Sequence, residues 1–211
     1  MIEPNNNQTK EWRWNQPWYL NGKHKECEKY QISLIEEITG VKVDKTNKWI
    51  NLITNKLENV NKKINILEWT ENFDGYQLNN GKTIYHNLKM ICGSGGGQTR
   101  ALREVCHFIS AQQRHLNQEP SSKLFFVNIL DGNECYKKIK LFPEVEHGQI
   151  FVGSLFEWNE NMKGKKCFNH FSQFYICLYG REGDRWGENQ SPILSFWGLG
   201  QKVFFPFPPF I

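Results

Sequence analysis

Apolar and polar positions alternate through the stretch before residue 74. Ile64, Ile66 and Glu68 fall on one side and Leu67, Trp69 and Phe73 on the other, which predicts a strand ending at Asp74. The turn Asn79-Asn80-Gly81 follows, and then a second alternating segment from Ile84 to Ile91. An Asn/Gly pair between two β-prone runs predicts a hairpin. Folding about that turn sets Asp74 roughly opposite His86 and Asn87. Side chains two apart on a strand share a face, so Asn87 and Lys89 point the same way. Beyond Gly93-Ser94-Gly95-Gly96-Gly97, the spacing of Leu102, Val105, Cys106 and Ile109 predicts a helix from about Thr99 with a core-facing stripe. Its other side carries Arg100, Arg103, Glu104, His107 and Arg114. The apolar run Leu124 to Leu130, closed by Asp131-Gly132, predicts a buried strand.

On either side of this centre the pattern is simpler. Ile32, Ile35 and Ile38 predict a helix from about Lys25 to Thr39 that stops at Gly40. Trp49, Leu52, Ile53, Leu57 and Val60 stand at helical spacing and predict a second helix from about Lys45 to Asn61. After the centre, β-prone runs lie at Ile150 to Phe156, Phe174 to Tyr179 and Ile193 to Trp197. The tail Val203 to Ile211 is apolar, but Pro206, Pro208 and Pro209 forbid a regular helix or a central strand there. The central order is strand, strand, strand, helix, strand, an α/β chain of the α+β kind with a mixed sheet flanked by helices.

With 211 residues, 39% hydrophobic and 14% aromatic, the chain is long enough for one packed domain and short for two. The expected organisation is a single domain over 1–211, with an arm over 1–20, a core over 64–131 and additional strands over 132–211. The arm holds Trp12, Trp14 and Trp18, a density of aromatics suited to docking on the body or a partner. A formal charge of +4 permits an anionic partner without demanding one. No signal-peptide pattern and no apolar run of membrane-spanning length occurs, so a cytoplasmic protein with no membrane partner is expected. The six cysteines include no C-x-x-C pair and are expected as reduced thiols. A zinc site drawn from Cys92, Cys106 and His107 matches no common spacing.

The chemistry concentrates between Phe73 and Gln113. A helix leaving a glycine-rich loop presents unpaired amides and a positive dipole end, a natural seat for a phosphate. Asp74, Lys89, Glu104 and two arginines can converge there around a phosphodiester. Two carboxylates hold a magnesium ion that keeps waters and takes a phosphate oxygen as a further ligand. A lysine near the same phosphate can orient or deprotonate the attacking water and offset transition-state charge. Each residue also has an ordinary use: Asp74-Gly75 is a turn signal, and Glu104 can pair with Arg103 or Arg100 on the helix surface. Their joint order points to a site.

That order of Asp, hairpin, polar-x-Lys, then Glu on the following helix resembles the PD-(D/E)XK nucleases. It is most similar to the type II restriction endonucleases whose second acid has migrated from strand to helix. The resemblance covers roughly Ile64 to Asp131 and rests on Asp74, on Asn87-Leu88-Lys89 and on Glu104. Phe73 stands where the family carries proline, and Asn87 where this branch carries Ser or Thr. The resemblance implies a βββαβ restriction-endonuclease-like core and a catalytic set of Asp74, Lys89 and Glu104. It also implies magnesium held by Asp74 and Glu104, with Glu68, Glu71 and Glu36 as other candidates for the second ligand, and bases read in the major groove by Arg100 and Arg103. An early helix in related nucleases can carry an auxiliary acid, for which Glu36 and Glu37 are candidates.

The expected function is therefore Mg-dependent hydrolysis of phosphodiesters at a specific double-stranded DNA site, by a homodimer, with a methyltransferase as system partner. Asn87, Ser94, Gly95, Gly96, Gln98, Thr99, His107 and the loop residues Arg181 and Arg185 join Arg100 and Arg103 as expected DNA contacts. Two other classes stay open. One is a non-catalytic DNA-binding module that keeps the core. The other is a nucleotide-binding enzyme using Gly93 to Gly97, which lacks the Gly-Lys-Ser/Thr ending of a P-loop.

Overall fold

The computed structural model describes residues 15–17, 25–59, 67–69, 71–142 and 144–166. The expectations for the N-terminal arm, for the first half of the 64–73 strand, for Arg181 and Arg185, and for the strands and tail beyond residue 166 lie outside them. Helix α1 spans Lys25–Thr39, and β1 (Lys48–Ile50) pairs antiparallel with β2 (Leu57–Asn59) in a small ribbon. The hairpin β3 (Gly75–Asn79) and β4 (Lys82–Met90) is followed by α2 (Gly96–Gln118) and β5 (Leu124–Asp131). A short α3 (Asn133–Lys138), β6 (Ile150–Gly153) and α4 (Leu155–Lys166) complete the order.

The sheet runs β3-β4-β5-β6, antiparallel across the hairpin and parallel from β4 through β6. Strand alternation divides it into two apolar faces. Ile84 and Leu88 of β4 join Phe125, Val127 and Ile129 of β5 against Ile35 of α1 and Trp158 of α4. Tyr85, Phe126 and Phe73 meet Phe108, Ala111 and Leu116 of α2 on the other face, with Ile91 and Leu130 beneath Leu102, Val105 and Ile109 of the same helix. Of the stripe expected for α2, Leu102, Val105 and Ile109 are buried and Cys106 is half-buried. The helix starts at Gly96 rather than Thr99, because its first turn is built from the glycines themselves.

Three local expectations are corrected. The segment expected as a helix over 45–61 is the β1–β2 ribbon. Asn51 Oδ1 accepts the amides of Ile53 and Thr54, and Asn55 takes a left-handed φ of 58°, so the chain reverses between the strands. Ile53, which helical spacing would bury, is 64% exposed. In the segment expected as a strand up to Asp74, residues 67–69 and 71–73 form no strand, although Phe73 donates its amide to the Lys48 carbonyl of β1 at 3.0 Å, so the first strand of a βββ unit is not among the described residues. The run Ile150 to Phe156 is a strand only to Gly153. There Ser154 and Glu157 form a capping box: Ser154 donates its amide to Glu157 Oε2 at 2.7 Å, and Glu157 donates its own to Ser154 Oγ at 3.1 Å, which turns the chain into α4.

Candidate functional site

The hairpin register pairs Gly75 with His86, one step short of setting Asp74 across from Asn87, and the Asp74 amide donates to the His86 carbonyl at 2.8 Å. Asp74 therefore sits where the hairpin opens. Its Oδ2 accepts the amide of Leu88 at 2.6 Å, which holds the carboxylate beside the strand that carries Lys89. Burial pushes the Asp74 carboxyl up to about 7, against the downward pull of Lys89 and of the Leu88 amide, while Glu28 and Glu71 add to the rise.

Lys89 lies on the α2 side of β4. Its Nζ donates to Glu71 Oε2 at 2.7 Å, with the two side chains 20% and 24% exposed. Burial works to lower the lysine pKa, but Asp74, Glu71 and Glu28 outweigh it and the ammonium ends above its ordinary value. Lys89 is accordingly a fixed positive charge at neutral pH. Of the two roles open to it, orienting a water and offsetting charge suit it, and deprotonating one does not.

Helix α1 contributes from the opposite face. Gln31 donates to the Lys89 carbonyl at 3.1 Å and to Asp131 Oδ2 at 2.7 Å, tying the ends of β4 and β5 together. Asp131 also accepts the Leu155 amide at 3.0 Å, so this buried acid organises backbone, in line with a strand-ending role. Glu28, one helical turn before Gln31, is the α1 acid whose charge reaches Asp74 and Lys89. Glu36, by contrast, accepts the Val43 amide at 2.8 Å, and Glu37 is exposed.

The remaining expected residues divide. Ser94, Gly95, Gly96, Gln98, Arg100, Arg103 and His107 are exposed along the loop and the outer side of α2, and Thr99 is half-buried with its hydroxyl on the Gly95 carbonyl. The α2 N-terminus has no side-chain cap and no acid in its first turn. Glu104 is half-buried on α2 and makes no hydrogen bond or ion pair among the described residues, so the alternative use of pairing with Arg103 or Arg100 is not seen. Arg114 turns away from that face and donates to Asn55 Oδ1 at 2.8 Å. Asn87, expected at the DNA surface, is fully buried and donates to Asn128 Oδ1 at 3.1 Å.

Glu71, one of the alternatives to Glu104 as second acid, is the carboxylate that the fold brings to Lys89. It precedes Asp74 in a segment without regular structure, and only folding brings it to Lys89. Its Oε1 is buried and has no hydrogen-bond partner. Among the described residues no three His, Cys, Asp or Glu side chains are grouped to hold a metal, the drawn Cys92, Cys106 and His107 set included. No helix among them is long and apolar enough to cross a membrane. No protein-family model, curated protein or solved structure matches the chain.

Proposed function

We propose that the protein is a magnesium-dependent endonuclease that cuts a phosphodiester in each strand of a specific duplex DNA site. The observation that carries this reading is the corner where Asp74 opens the hairpin beside Lys89, whose ammonium is held by Glu71. A hard cation suits the oxygens gathered there. Two carboxylates with waters suffice for magnesium, and the buried Oε1 of Glu71 is without a hydrogen-bond partner among the described residues while Oε2 holds Lys89. Asp74 and a second carboxylate of the same corner would hold the ion. Bound magnesium polarises a phosphoryl oxygen and lowers the pKa of its water.

The chain's own groups do the rest. Lys89, kept as an ammonium by Asp74 and Glu71, orients the attacking water and offsets charge on the phosphoryl oxygens. The uncapped amides at the start of α2, in a loop where a Cβ at Gly96 or Gly97 would meet nothing within 4 Å, receive the backbone phosphate. Arg100 and Arg103 stand exposed on the same helix to meet base edges. Cutting both strands with identical sites calls for a two-fold dimer and a palindromic target.

A second reading, a DNA-binding module without chemistry, is favoured by Asn87. The strand position that would carry an acid holds a buried amide instead. One experiment separates the two. A mixed-sequence plasmid is incubated with the protein in magnesium and in chelator, and fragment ends are sequenced. Discrete, metal-dependent fragments that share a short motif are expected. Retention in a gel shift with no cutting turns the assignment to the binding module, and neither cutting nor retention overturns both.

A further inference from the structure

The amide network under β4 fixes which way Asn87 points. Asn128 donates through Nδ2 to the Phe151 carbonyl at 3.2 Å and to Gln112 Oε1 at 2.8 Å, so its Oδ1 can only accept. That oxygen takes Gln112 Nε2 at 3.0 Å and Asn87 Nδ2 at 3.1 Å. The two arms of an amide diverge, so Asn87 Oδ1 does not face Asn128 of β5, and β3 with Asp74 lies across β4 from that strand. This atom belongs to a wholly buried side chain and has no hydrogen-bond partner among the described residues. Glu71 Oε1 is buried and partnerless as well, while its Oε2 holds Lys89 on that same face of β4.

Two buried oxygens left without a hydrogen-bond partner are costly unless a donor or a cation arrives. Glu104 has neither feature: it is half-buried on a helix and holds no site residue. We infer that Glu71, and not Glu104, is the second carboxylate that shares a divalent cation with Asp74, and that it positions Lys89 beside that cation through its other oxygen. The inference rests on the endonuclease reading for its purpose but not for its test. Asn87 Oδ1 is a neutral oxygen buried on the same face of β4.

The test is calorimetric titration of the full chain with Mn2+ and with Mg2+, alongside plasmid cutting, for wild type, Glu71→Gln and Glu104→Gln. Expected are a loss of cation affinity of about tenfold or more and a fall in kcat of about a hundredfold in E71Q, with E104Q near wild type in both. Thermal unfolding without metal checks that E71Q is folded; if it is not, Glu71→Asp replaces it and is expected to recover part of the cation binding. Wild-type affinity in E71Q with loss in E104Q overturns the inference, as does a wild-type protein that binds neither ion. Cation binding that depends on Glu71 in a protein that cuts no DNA upholds the inference and sinks the endonuclease.

Discussion

The amide of Leu88 donates to Oδ2 of Asp74 at 2.6 Å, and this bond joins the residue that opens the hairpin to the backbone next to Lys89. Because the carboxyl is held in a buried corner, its pKa rises from 3.8 to about 7 in the absence of metal. Between those values the folded chain keeps a proton that the unfolded chain has lost. The stability contributed is present below pH 3.8 and is lost as pH rises through about 7. In chelator, Asp74→Asn should therefore gain on wild type between pH 5 and 8.5 by roughly 1–3 kcal/mol, read from denaturant midpoints. The same ionisation prepares the site, so cutting should climb across pH 6 to 8. A flat difference in stability would remove Asp74 as the buried acid.

Asp74→Ala and Lys89→Ala should each lower cutting by about a hundredfold or more while DNA is still retained in a gel shift. Lys89 stays charged, so no base-side rise in rate from its deprotonation is expected at neutral pH. Full cutting by either variant would leave the proposal without its chemistry.

His86 supplies a second pH signature with the opposite sign. Gln77 spends its Nε2 on Thr39 and on the Val41 carbonyl, so its Oε1 must accept, and His86 Nε2 carries the hydrogen at 3.1 Å. The Nδ1 is buried without a partner, and burial lowers the pKa from 6.5 to about 3. The unfolded chain then takes a proton that the folded one refuses, so this contribution is present above pH 6.5 and is lost as pH falls toward 3. His86→Gln keeps a donor for Gln77 and should flatten the acid limb of a denaturation series from pH 6.5 to 4. An unchanged limb would place the acid sensitivity elsewhere.

Two glycines should respond in opposite directions. Gly132 has φ at +98°, and a Cβ there would lie 2.3 Å from the Ile91 carbonyl oxygen, the atom that accepts the Glu134 amide. Gly132→Ala should cost roughly 2–4 kcal/mol. Gly97 lies in the first turn of α2 with open space around it, so Gly97→Ala should stabilise by about 0.5–1 kcal/mol. If its backbone meets a phosphate, the same change weakens DNA retention, and a stabilised variant with undiminished retention would detach the loop from DNA.

Arg103 forms no ion pair with Glu104, so Arg103→Ala should change stability by less than about 0.5 kcal/mol. Its effect should appear in site choice, with a loss of about 1–3 kcal/mol of discrimination at one base pair in the sequenced fragment ends. A uniform loss across sequences, with a shallower salt dependence, would make it a phosphate contact instead.

Local pattern carried the elements whose preference and burial agree. The turn Asn79-Asn80-Gly81 specifies the hairpin through residues that accept positive φ, seen at Asn80 and Gly81, and the hairpin then sets the places of Asp74 and Lys89. The α2 stripe and the LFFVNIL strand were legible for the same reason: each buries the residues its period marks. The 45–61 segment misled because Trp49 and Leu57 fit a helical period, whereas Asn51 and Asn55 reverse the chain through their own side chains. Glu71 was beyond any periodicity. It acquires its meaning from a 2.7 Å approach to Lys89 across 18 positions of chain, and Glu28 acquires its own from α1 being laid against β4 by Gln31. Residue order can nominate a carboxylate or a lysine, but how near they stand, how dry they are and which charge prevails arise only when the sheet and helices close around them.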